Sequence, residues 1–270
     1  MNALAPITNA PPGDNILWGS FDTAGWHALD LFYAAPMSTH CGQLDYDAWR
    51  RRKAELLYAA HIRFSKALTF VAAGGVHAAQ STIGLGWTEY LQLLQRRSPD
   101  PQATHASQVS SLLAKSNSAK RILESANLDA NEQLYLAFAT HLVGILELES
   151  CQGHLAEVSL KLAGERYKTL GQTKKYCDVV HLIAKLMQCK QCFGTSIDLL
   201  TIAEQSEDLE RRVRAFLDRI ATLHWLGQTR EAWQSYAVWK RLRGSTGFQA
   251  AGRLTPSRAN AFCIDCHSLW

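Results

Sequence analysis

Apolar and polar positions hardly alternate anywhere in this 270-residue chain, and no Asn-Gly or Asp-Gly pair marks a two-residue hairpin turn. That argues against a fold built on antiparallel strands. Charge is scarce too: 19% of residues are charged, and 28 Lys and Arg stand against 24 Asp and Glu, a net +4. The whole excess sits near the end, where Lys240, Arg241, Arg243, Arg253 and Arg258 oppose only Asp265. A near-neutral body is the wrong surface for a protein that coats nucleic acid along its length. Catalytic signatures are missing as well. There is no G-x-S-x-G, no H-E-x-x-H and no acidic pair spaced for magnesium, and neither Gly74-Gly75 nor Gly84-x-Gly86 has the strand-to-helix context of a phosphate loop. The reading therefore leans away from an enzyme, although helical folds can host active sites that leave no linear motif.

The first fifteen residues have no basic segment followed by an apolar one, so no secretory signal is read there. The expected location is intracellular, cytoplasmic or nuclear, where the seven cysteines are thiols or metal ligands sooner than disulfides. From Ala67 to Thr88 there is no charged residue, nearly the length of a membrane span. Four glycines, His77, Gln80, Ser81 and Thr82 interrupt it, so a buried helix or hairpin is expected and no membrane contact.

What is present is helical spacing throughout. Residues 45–71 carry the stripe Trp49, Leu56, Leu57, Ala60, Phe64, Leu68 and Val71, and residues 81–97 carry Trp87, Tyr90, Leu91 and Leu94. Ser98-Pro99-Asp100-Pro101 stops that second helix. Further helices are expected at about 109–126, 129–148 (with Asp129 as N-cap), 155–170, 174–187, 196–205, 209–226 and 230–242. The expected class is all-α, antiparallel helical hairpins joined by short loops. The expected organisation is a flexible lead at 1–44, a helical hairpin at 45–97, a linker at 98–108, a repeat domain at 109–243 and a basic tail at 244–270.

One tetrapeptide, Leu-Gly-Gln-Thr, occurs at both 170–173 and 226–229, each time between two amphipathic stretches. A helix, a glycine turn and another helix, used twice, marks a helical-repeat protein. In the first copy Gly164, Tyr167 and Gly171 follow one another at intervals of three and four, with Val180 and Ile183 facing inward on the next helix. In the second copy Leu223 and Gly227 occupy the last two of those places, followed by Ala232 and Tyr236, and Ala203 is a comparable small residue in the helix between. This pattern resembles the tetratricopeptide repeat over about residues 129–243. The resemblance is degenerate: Tyr176 replaces an expected small residue, no proline closes either unit, and glycines taken as turns at 171, 194 and 227 lie 23 and 33 residues apart. It implies a stacked array, or failing that a bundle, whose first helices line a groove.

Counting back from the turn glycines puts Val158, Lys161, Glu165 and Lys168 on that lining face in one copy, and Arg214, Leu217, Ala221 and His224 in the other. Lys161, Glu165, Lys168, Arg214 and His224 are thus the candidate partner-binding residues, suited to a carboxylate or an acidic peptide. The function read here is a protein-interaction adaptor or scaffold subunit that binds a peptide or partner subunit. An alternative is a helical nucleic-acid-binding protein, a nucleoprotein or regulator, using the tail and Trp49 with Arg50, Arg51, Arg52 and Lys53. Four consecutive cations cover every face of a helix, and cations near a helix N-terminus are mildly unfavourable. A second alternative is a zinc-stabilised helical protein: Cys189 and Cys192 form one C-x-x-C, and Cys263 and Cys266, followed by His267, form another. The second also matches the haem-attachment motif C-x-x-C-H, chemistry that belongs outside the cytosol. Otherwise no cofactor is expected.

Overall fold

The computed structural model describes residues 12–34, 43–95, 102–206 and 209–243. They form ten α-helices: α1 (Pro12–Ala34), α2 (Gln43–Leu68), α3 (Val76–Gln95), α4 (Gln102–Ser125), α5 (Ala130–Glu149), α6 (Gly153–Thr169), α7 (Thr173–Cys189), α8 (Phe193–Ala203), α9 (Leu209–Trp225) and α10 (Thr229–Arg243). No strand occurs among the described residues. The chain divides into two compact units, one holding α1–α5 and one holding α6–α10. Two segments depart from the sequence expectation. Part of the expected flexible lead is helix α1, and 102–108 of the expected linker belong to α4. The prolines at 11 and 12 misled the reading of the lead: Pro12 opens α1, where its missing N–H costs nothing.

In the first unit each helix packs on the next, and α3 packs on α1 and α5 as well. Helices two apart in an up-and-down order run parallel, so α1, α3 and α5 form one layer. The core is pinned by Phe64 of α2, which is fully buried. Its ring fills space left by two glycines. A Cβ on Gly25 of α1 would stand 2.7 Å from the ring, and one on Gly84 of α3 would stand 2.3 Å from it, closer than real contacts. Burying such a ring is worth about 2–3 kcal/mol. The turn from α4 to α5 is set by local chemistry. Asp129 accepts from the Glu132 amide at 2.8 Å, and Glu132 accepts from the Asp129 amide at 2.9 Å, a complete capping box. The uncharged stretch 67–88 is the end of α2, a turn and the start of α3, a hairpin. No helix among the described residues is long and apolar enough to cross a membrane.

In the second unit one turn geometry recurs. Gly171 and Gly227 sit in the left-handed region at φ 68° and 84°. The amide of the following residue reaches back past the turn, Gln172 to the Tyr167 carbonyl at 2.8 Å and Gln228 to that of Leu223 at 2.9 Å. The turn between α7 and α8 repeats this with Gln191 at φ 59°, and Cys192 donates to the Met187 carbonyl at 2.9 Å. Gly194, expected to make that turn, lies inside α8. A search for glycine missed the turn because Gln191 bears the left-handed strain itself, at a cost of about 1–2 kcal/mol. Val180, Ala184, Leu200, Ala203 and Ala215 make a core shared by α7, α8 and α9, with Tyr176 packed against it. Tyr167, Leu223, Ala232 and Ile183 are buried at the places the repeat pattern assigns them. Tyr236 is not: it is 39% exposed, edge-on to Trp233, because no helix among the described residues packs on α10 after α9.

Candidate binding surface

α7, α8 and α9 pack consecutively, and α7 also meets α9 directly. The two are parallel, and their shared edge is a polar seam. Asp178, His181, Lys185 and Gln188 recur along α7 at intervals of three and four, one stripe of a helix. Arg211, Asp218 and Thr222 form the matching stripe on α9. Arg211 Nε donates to Asp178 at 2.9 Å. The Asp218 carboxylate takes His181 Nε2 at 2.6 Å on one oxygen and Lys185 Nζ at 2.7 Å on the other. Gln188 donates to the Thr222 hydroxyl at 2.7 Å, and that hydroxyl donates to the Asp218 carbonyl at 2.7 Å.

Asp218 is buried, yet its partners keep some access to solvent. The side chain of Asp218 is 4% exposed, that of His181 17% and that of Lys185 28%. Burial raises the Asp218 carboxyl, but the hydrogen bond from His181 and the positive charge of Lys185 outweigh it and hold the pKa below its ordinary value. The carboxylate is therefore an anchor that fixes two basic groups at one rim. Beside the seam the outward face of α9 carries Arg214 and Trp225, both exposed. Such an arrangement holds the His181 and Lys185 side chains in fixed positions at the edge of the seam.

The residues nominated from sequence fall on two faces. Lys161, Glu165 and Lys168 are exposed on α6. Lys161 is drawn to Glu157 at 2.6 Å, and Glu157 also takes Lys190 from the end of α7, which lowers the Glu157 carboxyl to about 2. The same helix also carries apolar surface, with Leu155, Val158 and Leu162 exposed. Arg214 and His224 are exposed on α9, and Arg214 flanks the seam. Sequence reading missed Asp178, His181, Lys185 and Asp218. The signal was present as a polar stripe on α7, but a stripe of that kind on an isolated helix is indistinguishable from a solvated face.

The basic run of α2 lies in its second and third turns, beyond the reach of the helix dipole's unfavourable end. Arg50, Arg51 and Arg52 are exposed, whereas Lys53 is folded over the rings of Phe32 and Trp49 at 4.4 and 5.0 Å. Cys189 and Cys192 are exposed thiols flanking the Gln191 turn and are not joined in a disulfide, with the Cys192 thiol directed at the Lys190 carbonyl. Among the described residues no group of three His, Cys, Asp or Glu side chains is placed to hold a metal ion. Cys263, Cys266, His267 and the basic tail lie outside the described residues.

The first unit has a buried polar cluster of its own. Asp22 of α1 accepts from Ser81 of α3 at 2.7 Å and from Tyr135 of α5 at 3.0 Å, and Ser81 in turn accepts from the Trp18 indole at 2.9 Å. Burial pushes the Asp22 carboxyl up, against the hydrogen bonds from Ser81 and Tyr135. Trp26 closes over the cluster, stacked on Phe138 at 4.8 Å. Both carboxylate oxygens are already taken, so the cluster braces three helices together.

No protein-family model matches the chain, and no curated protein matches it in sequence. Solved structures do match. A single-substitution variant of a Podosopora anserina protein assigned as a kinesin light chain, with nearly identical tetratricopeptide-like repeats, aligns at TM-score 0.53 and 11% identity over 85% of this chain and 97% of that one. A second structure of that protein aligns at TM-score 0.52 and 12% identity over 84% and 99%. At this identity the likeness concerns the fold, and it extends well beyond the half of the chain in which the sequence pattern is visible. The chain has the all-helical fold of tetratricopeptide-like repeat proteins.

Proposed function

We propose that this protein is an interaction adaptor or scaffold subunit that holds an acidic peptide segment of a partner protein on the α7–α9 face. The repeat fold is one that commonly mediates protein–protein interactions. The observation that carries the reading is the Asp218 anchor, which holds His181 and Lys185 at a partly exposed rim beside Arg214. A carboxylate docking there would meet His181 and Lys185 already held in place by Asp218, so little conformational entropy of those two side chains is lost on binding.

The test is purification of the tagged full-length chain from its native cell with nuclease present, with stoichiometric partners read by mass spectrometry. A protein partner lost from the Lys185→Glu/Arg214→Glu variant and kept by Lys161→Glu/Lys168→Glu supports the α7–α9 face. Loss from the α6 variant alone moves the site to α6. Recovery of nucleic acid and no protein, in a parallel preparation without nuclease, refutes the adaptor reading.

A further inference from the structure

The outward face of α2 is used by neither the core nor the α7–α9 seam. Its exposed residues include five cations, Arg50, Arg51, Arg52, Arg63 and Lys66, and one acid, Glu55. Arg51, Tyr58 and Ile62 recur at seven and four residues and form one stripe. Tyr58 is 65% exposed and Ile62 45%, an apolar pair one turn apart in the middle of a basic face. Arg52 and Arg63, eleven residues apart, run along one edge of the stripe, and Lys66 leans over the Phe21 ring at 4.8 Å. From Arg50 to Lys66 the face is about 24 Å long, a little over four turns.

We infer that this face is a docking surface for an acidic amphipathic helix of a partner protein. The charge pattern selects the occupant. An apolar pair with cations around it complements an apolar i, i+4 pair with carboxylates around it. A duplex presents about one phosphate charge per 1.7 Å of axis, far denser than five cations over this length, and has nothing to cover Tyr58 and Ile62. Glu55, paired with Arg52 at 3.7 Å in the middle of the face, would also oppose a phosphate backbone.

The experiment measures fluorescence anisotropy of the full-length chain with three labelled probes: a synthetic Leu/Glu/Ala helix of about 18 residues with an i, i+4 leucine stripe flanked by glutamates, a scrambled peptide of equal composition, and a single-stranded oligonucleotide of about 20 nucleotides. The expected result is binding of the patterned helix, weakened about tenfold by scrambling and about tenfold by Tyr58→Ala/Ile62→Ala. Arg51→Glu/Arg63→Glu, which leaves three cations against three acids on the face, should weaken it by at least about tenfold. These positions are exposed, and unchanged circular dichroism and melting will verify that the variants are folded. Equal binding of patterned and scrambled peptides, no binding of either, or preferential binding of the oligonucleotide lost in Arg51→Glu/Arg63→Glu, overturns the inference.

Discussion

Gln191 and Gly194 offer a direct test of the repeat register. The structure puts the left-handed turn residue at Gln191, with φ 59°, and places Gly194 near the start of α8 with no neighbouring atom within 4 Å of an added Cβ. Replacing Gln191 by glycine removes a penalty of about 1–2 kcal/mol, partly offset by the greater freedom of glycine in the unfolded chain, for a net gain of about 0.5–1 kcal/mol. Gly194→Ala gains about 0.5 kcal/mol, less than the full helix-interior difference because the position is in the first turn. The two sites are close but share no side-chain contact, so the double variant should gain about 1–1.5 kcal/mol, or roughly 2–5 °C in melting temperature. Circular dichroism melts and urea unfolding of the transition that contains the second unit will measure it. If Gly194 were the turn residue, as the glycine spacing suggests, its replacement by alanine would cost about 1 kcal/mol or more and Gln191→Gly would give no gain. That outcome would refute the register described here.

Gly84→Ala should destabilise the first unit by about 1–3 kcal/mol in urea unfolding, even though alanine is the better helix former, because its Cβ would stand 2.3 Å from a buried Phe64 ring that has nowhere to move. Gly19→Ala, with open space around it on α1, should instead raise stability by up to about 1 kcal/mol, and equal effects at the two sites would contradict the packing. At Asp218 the folded carboxyl lies below its ordinary value of 3.8, so its stabilising contribution is complete above that pH and is lost as pH falls through the lower, folded value. Wild-type protein should therefore lose stability below about pH 4 more steeply than Asp218→Asn, which should also be weaker at neutral pH by about 3 kcal/mol. Parallel stability–pH curves for the two proteins would show that Asp218 does not anchor the seam.

The α2 run and the α7 stripe show where sequence reading succeeded and where it stopped. Both are visible as side-chain types at helical spacing. On α2 the sequence reading weighed four adjacent cations, while the structure separates them: Lys53 lies over two rings, and Arg51 joins Tyr58 and Ile62 on one outward stripe. Tyr58 and Ile62 look like core residues in a list of apolar positions, and only the packing of α2 on α1 and α3 leaves them outside.

The sequence by itself determined nine of the ten described helices, the all-α class and most of the helix ends, though not α1, because these follow from nearby residues: apolar spacing near 3.6, Asp129 capping the fifth helix, Gly171 and Gly227 at positive φ. The tertiary structure alone decided that Gln191 makes the third turn, and that His181 and Lys185 meet Asp218 more than thirty residues on. Left-handed strain in a non-glycine residue is tolerated only when packing on both sides holds the turn. A seam between parallel helices two apart joins residues that no local spacing relates, so their meeting is settled by how α8 brings α9 back alongside α7.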